Sequence, residues 1–177
     1  MSRHDFPILP ATKVAALLER YPQLEDILVS LAPPFSKLKN PLLRKGVARV
    51  ASLKQAAAVA GISVEDLVNK LRAAVGQDPV GSEGAHPAVS YFSAQPDWFS
   101  PSKVVKSIDE RIAAEDKMPI VVVLQQASRL QPEEILELVT SFLPAPGIDI
   151  VKKKGLRVWS VQEDPNLVRT YISRAKV

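Results

Sequence analysis

Apolar residues recur at helical spacing through the first part of the chain and at strand-like spacing through the last. Val14, Leu17, Leu18 and Tyr21 form an i, i+3, i+4, i+7 stripe, with Thr12 placed to cap its start. Leu24, Ile27, Leu28 and Leu31 repeat the spacing after Pro22, a residue suited to a first helical turn. Pro33-Pro34 stops this second helix, and Phe35 and Leu38 are expected to pack against it from an irregular stretch. Asn40-Pro41 reads as N-cap and first residue of a third helix, with Leu42, Leu43, Val47 and Val50 on its apolar side. Ser52 with Gln55, and Ser63 with Asp66, have the spacing of a capping box, and Gly61 suits the turn between the two helices they begin. Residues 7–75 are therefore expected to form a bundle of about five short helices.

The period is lost between Gly76 and Pro101, where Gly76, Pro79, Gly81, Gly84, Pro87, Pro96 and Pro101 mark a linker, 76–101. Four of the ten aromatic residues of the chain fall inside it, Tyr91, Phe92, Trp98 and Phe99. Unburied rings bring no compensation for ordering a segment, so residues 89–100 are expected to dock on a domain or a partner.

Beyond residue 102 the pattern alternates. Val104–Ile108 and Glu134–Thr140 read as strands, as do Leu156–Val161 and Leu167–Ile172, the last two joined by a connection over 162–166. Residues 119–130 are ambiguous: the β-branched front favours a strand, whereas Pro119, the Gln131-Pro132 end and apolar Ile120, Val123, Leu124 and Ala127 allow a helix. A further helix, despite Gly147, is expected to end at Lys152-Lys153-Lys154-Gly155, where the cations oppose the helix dipole and the glycine takes the left-handed cap.

The resulting order, β-α-β-α-β-β, resembles the small sulfur-carrier fold of the TusA type and, more closely, the family called domain of unknown function 2249. The residues that carry this are Val105–Arg111, Pro119, Pro132–Leu136, Phe142–Asp149 and Lys153–Trp159. The resemblance covers about 103–173. It implies an α+β two-layer sandwich over 102–175, a four-stranded sheet with two helices on one face, and a helix after Pro119. In sulfur carriers of this type a Cys-Pro pair opens that helix; here the pair is Met118-Pro119, and a thioether cannot carry a persulfide. The first half resembles domain of unknown function 1858 through Leu17–Pro22, Pro33–Pro41, Leu43–Lys45, Ala48–Ala51 and Ala60–Val64. Some of its relatives carry a cysteine pair linked to redox proteins, in the region that is Pro33–Leu38 here. Neither resemblance implies a cofactor.

Composition sharpens this. The 177 residues include no Cys and two His, which excludes disulfides, thiol nucleophiles, Cys-ligated metals and His-rich metal sites. No apolar run is long enough to span a bilayer, and the start lacks a signal-peptide stretch, so a cytoplasmic protein without membrane contact is expected. The net charge of +4 lies wholly in residues 1–80, which hold 11 basic and 7 acidic residues. Between Asp26 and Glu65 no acid interrupts Lys37, Lys39, Arg44, Lys45, Arg49 and Lys54, a solvated face or a candidate anion- or partner-binding surface with Arg44, Lys45 and Arg49 as principal contacts.

Residues 55–67 scan like a DNA-binding helix-turn-helix, but Glu65 and Asp66 open the second helix and would face phosphates, so a structural hairpin is the better reading. Alternation puts Arg157 and Trp159 on one sheet face, with Arg169 and Tyr171 beside them. That face suits docking of the aromatic segment or a second subunit better than base stacking. Thr140-Ser141 precedes a helix N-terminus, an anion-binding position or an ordinary turn. Asp109, Glu110, Glu115 and Asp116 have no His, Cys or Ser spaced to form a catalytic site with them and read as surface. The expectation is a non-enzymatic protein- or ligand-binding module, with a protein partner or homodimer. The alternatives are a nucleic-acid binder using the basic surface, and a small-molecule carrier or enzyme with a pocket between the domains.

Overall fold

The structure is a computed structural model and describes residues 6–32, 34–36, 48–80, 91–112 and 119–175. It is a mixed α+β protein that divides into two compact units, Met1–Val89 and Ser90–Val177. The aromatic segment that follows residue 90 is thus part of the second unit.

In the first unit the described helices are α1 (Val14–Arg20), α2 (Leu24–Leu31), α3 (Leu53–Ala60) and α4 (Val64–Ala74). Each turns its periodic residues into one core, where Leu17, Leu18, Leu24, Leu28, Leu53, Leu67 and Leu71 are fully buried and Phe35 packs among them. The Ser52 capping box is complete: Ser52 Oγ accepts from the Gln55 N–H at 3.3 Å, and Gln55 Oε1 accepts from the Ser52 N–H at 2.9 Å. Gly61 ends α3 at φ +67°, and Ser63 Oγ accepts from the Asp66 N–H to begin α4.

The start of α1 differs from expectation. Lys13 is its N-cap and offers no side-chain bond, while Thr12 Oγ1 accepts from the Leu9 N–H instead. The orphan N–H of Val14 donates to the Ala51 carbonyl at 2.9 Å, and the Leu53 N–H returns a bond to Thr12 O. A bridge between Lys13 and Ser52 therefore does the work of a cap, using a partner 39 residues away in sequence. The expected helix from Asn40-Pro41 lies outside the described residues except at its end, 48–50, which is helical; there Ala48 is buried and Val50, expected on the apolar side, is exposed, since the helix turns its small residue inward at that point.

The second unit runs β1 (Val104–Asp109), α5 (Pro119–Ala127), β2 (Ile135–Thr140), α6 (Ala145–Lys153), β3 (Arg157–Asp164) and β4 (Leu167–Ser173). The sheet order is β1-β2-β4-β3, parallel between β1 and β2 and antiparallel elsewhere. Val123, Ala127 and Leu130 from α5 and its end, and Val151 from α6, pack on Leu136, Leu138 and Ile172 of the sheet. Both helices thus cover the same face. Gly147 sits where α6 passes α5: a Cβ there would come within 3.3 Å of Ile120 Cδ1. Gly155, at φ +78°, follows the three lysines at the end of α6.

The β3–β4 connection is shorter than the pattern suggested. β3 continues through Glu163 to pair Asp164 with Leu167, leaving Pro165-Asn166 as a two-residue turn. Polar residues can extend a strand when one face is not packed on helices, and Glu163 uses its extra length to reach Arg169.

Ser52→Ala removes one half of the capping box and is expected to cost about 1 kcal/mol. Urea titration should show a lower midpoint with an unchanged slope, as a loss of stability without a change in exposed surface requires.

Candidate functional site

The face of the sheet opposite the helices is built by alternation. Register places Trp159 of β3 beside Tyr171 of β4, Tyr171 beside Glu137 of β2, and Glu137 beside Ser107 of β1. One row of side chains therefore crosses all four strands. Its two ends differ in chemistry.

The β3–β4 end is aromatic. Trp159 and Tyr171 stack with ring centres 5.3 Å apart, and Phe99 lies 4.7 Å from the first and 4.4 Å from the second. Ile135 is buried beneath, and Trp98, Val104 and Val161 close the cluster. Trp159 and Tyr171 are each only 8% exposed. The Arg157 guanidinium lies over the Trp98 ring at 5.1 Å and donates through Nη2 to Ser173 Oγ and Arg174 O.

The β1–β2 end is charged, and Arg169 of β4 and Glu163 of β3 complete its network. Arg169 Nη1 donates to Glu137 at 2.7 Å, and its Nε to Glu163 at 2.8 Å. Ser107 Oγ donates to the second oxygen of Glu137 at 2.6 Å. Burial works against the Glu137 charge, but the donors Ser107 and Arg169 outweigh it and hold the carboxyl below its usual range. Glu163 and Glu137 together hold the Arg169 guanidinium protonated more firmly than usual. Burial, reinforced by the neighbouring Glu137 charge, pushes the Tyr171 phenol up to about 12. Nearby, a hydrogen bond from Arg111 lowers the Asp109 carboxyl.

The four residues expected on this face, Arg157, Trp159, Arg169 and Tyr171, do share it, but not one role: the two rings and Arg157 meet the aromatic segment, and Arg169 is taken up by two carboxylates. Of the basic run, Lys37, Lys39, Arg44 and Lys45 lie outside the described residues, Arg49 is exposed and Lys54 half-buried. Met118 also lies outside them. The Thr140 hydroxyl is fully buried and donates to Phe142 O, as in an ordinary turn. Glu137, Glu163 and Ser107 were missed as a group. A lone acid between Leu136 and Leu138 in an otherwise apolar strand was the available signal, since alternation puts it on the Arg169 face.

Among the described residues no group of three or more acids and histidines stands close enough to hold a metal ion, and no helix is long and apolar enough to cross a membrane. Residues 8–68 match the family model described as Domain of unknown function (DUF1858), which supports the resemblance drawn for the first half. No curated protein and no solved structure matches the chain.

Because the Glu137 carboxyl is lowered in the folded chain, the stability it contributes is present above its ordinary value of 4.5 and is lost as the pH falls through the folded value. Glu137→Gln is expected to cost about 1–2 kcal/mol at neutral pH and to flatten the decline of the urea midpoint below about pH 4.5. An acid limb as steep in the variant as in the wild type would contradict the assignment.

Proposed function

We propose that the chain is a non-catalytic binding module. Its second half is read as a TusA-like domain of the domain-of-unknown-function-2249 kind, in which the family's cysteine position is Met118. Its first half supplies a basic docking surface for a protein partner. The β-α-β-α-β-β order and the placement of both helices on one sheet face support the TusA-like reading. The complete absence of cysteine removes the sulfur relay of that family.

The observation that carries the non-catalytic reading is the charged row itself. General acid–base catalysis works best with a group that titrates near the working pH. Here Glu137 is displaced downward and Tyr171 upward to about 12, so both move away from neutrality, and Arg169 is committed to two carboxylates. Such a row organises a surface. Base stacking on the sheet is less favoured because Phe99 lies against both rings that could stack on bases; the nucleic-acid alternative through the basic surface is decided by filter binding.

Immobilised full-length chain should retain a protein partner from the native lysate. The triple variant Arg44→Glu, Lys45→Glu, Arg49→Glu should retain it roughly tenfold less, a difference that grows at low salt. In filter binding at low salt neither RNA nor DNA should be held. Nuclease-sensitive capture would favour the nucleic-acid alternative, and a small molecule released from the purified chain in native mass spectrometry would favour the carrier.

A further inference from the structure

The aromatic face is covered by a segment of the chain itself. Residues 91–99 meet the sheet as a docked peptide would. Phe92 forms a parallel bridge with Ser160 of β3, an outer strand of the sheet. The Trp159 indole N–H donates to the Ser93 carbonyl at 3.0 Å, and the Tyr91 hydroxyl donates to Asp149 of α6 at 2.9 Å. Phe99 then drops onto Trp159 and Tyr171, and Trp98 lies under Arg157. Edge pairing combined with a side-chain anchor in an apolar hole is the way extended peptides add to sheets.

The backbone attachment is slight compared with the sheet beneath it. The segment contributes one isolated bridge, whereas β3 and β4 share a ladder that runs from Arg157–Ser173 to Asp164–Leu167. Tyr91 is buried and Phe92, Pro96, Trp98 and Phe99 are half-buried, so the segment is held at its two ends, whereas Ser93, Ala94, Gln95 and Asp97 between them are exposed. A segment anchored by side chains at its ends, with an exposed middle and little ladder pairing, opens locally before the sheet that supports it.

We propose that residues 91–99 are a strap that occupies, in cis, a docking face for an extended segment of a partner protein. That segment carries an aromatic side chain for the Phe99 position, and its binding displaces the strap. The proposal rests on the reading of the chain as a protein-binding module. The chemistry of the occupant follows from the hole: Trp159, Tyr171, Ile135 and Val161 offer apolar and aromatic surface, and the indole N–H requires one backbone carbonyl. Uncovered, these residues would form an exposed apolar patch, so displacement and replacement go together. A tethered strap competes at an effective concentration of order millimolar, so only a segment that fits better than Phe99, or one held by additional contacts, displaces it.

The test uses full-length protein and a fluorescent synthetic peptide of residues 90–101. Phe99→Ala empties the hole in cis and should bind this peptide at least roughly tenfold more tightly than the wild type does. A peptide with alanine in place of its Phe99 should not bind. Both tryptophans of the chain lie at this contact, so intrinsic emission reports the same event. Independently of any variant, hydrogen exchange on the wild type should show the amides of 91–99 exchanging well ahead of those of β3 and β4. Exchange of the segment only together with those strands overturns the strap, as does a Phe99→Ala protein that keeps normal sheet protection yet takes up no peptide. An exchanged dimer of the wild type as the sole peptide-competent species would assign the face to a second copy and overturn the partner. Failure to retain a protein from lysate bears on the module reading alone, since peptide uptake and exchange do not depend on it.

Discussion

A four-stranded sheet with both of its helices on one side has a second side to account for, and the organisation of the second unit follows from how that side is closed. Ile135, Trp159 and Tyr171 bring apolar surface to it that water would not tolerate as a continuous patch. At roughly 25 cal/mol per Å² of apolar area, covering two large rings offsets much of the entropy lost in ordering a short irregular segment. That balance explains why a Pro- and Gly-marked stretch holds four aromatic residues. The other end of the row needs no cover, because Arg169 pairs with both Glu137 and Glu163 and Ser107 hydrogen-bonds Glu137, while the group remains wetted. The face is thus closed by two means, packing at one end and charge pairing at the other.

Much of this could be read from residues alone, where the cause was local. The Ser52–Gln55 box, the Gly61 turn, the Ser63 cap and the lysines before Gly155 are short-range devices, and each acts within one turn of its own helix. Periodicity also set the apolar faces of α1, α2 and β2. The start of α1 was illegible for the opposite reason: the group that satisfies Val14 is the carbonyl of Ala51, and no pattern near Thr12 announces it. The β3–β4 turn was misjudged because Gln162 and Glu163 resemble loop residues until Arg169 is known to stand across from Val161, one step from Glu163.

The candidate site was legible to the same depth. Alternation assigned Arg157, Trp159, Arg169 and Tyr171 to one face without register. Dividing them required register and the position of Phe99, both of which are long-range facts. Glu137 shows the limit well: its strand was recognised, yet its importance lies in touching Ser107 on one side and Arg169 on the other. The basic run is different in kind, since a gap in acidic residues from Asp26 to Glu65 is visible in one dimension.

Tyr171 joins the two ends of the row. Its ring forms the floor under Phe99, and its hydroxyl stands at the Glu137 carboxylate. A phenolate at that position would be buried and would meet a carboxylate already held ionised by Ser107 and Arg169, so the phenol stays protonated. Neutrality at Tyr171 is also what allows its ring to remain buried in an apolar cluster, because a charge there would need water where Phe99 now lies. The ion pairs therefore do more than solubilise one end of the face. Burial first, and the Glu137 anion that they hold in place second, keep the Tyr171 phenol protonated well into alkaline pH, and Phe99 packs on that neutral ring.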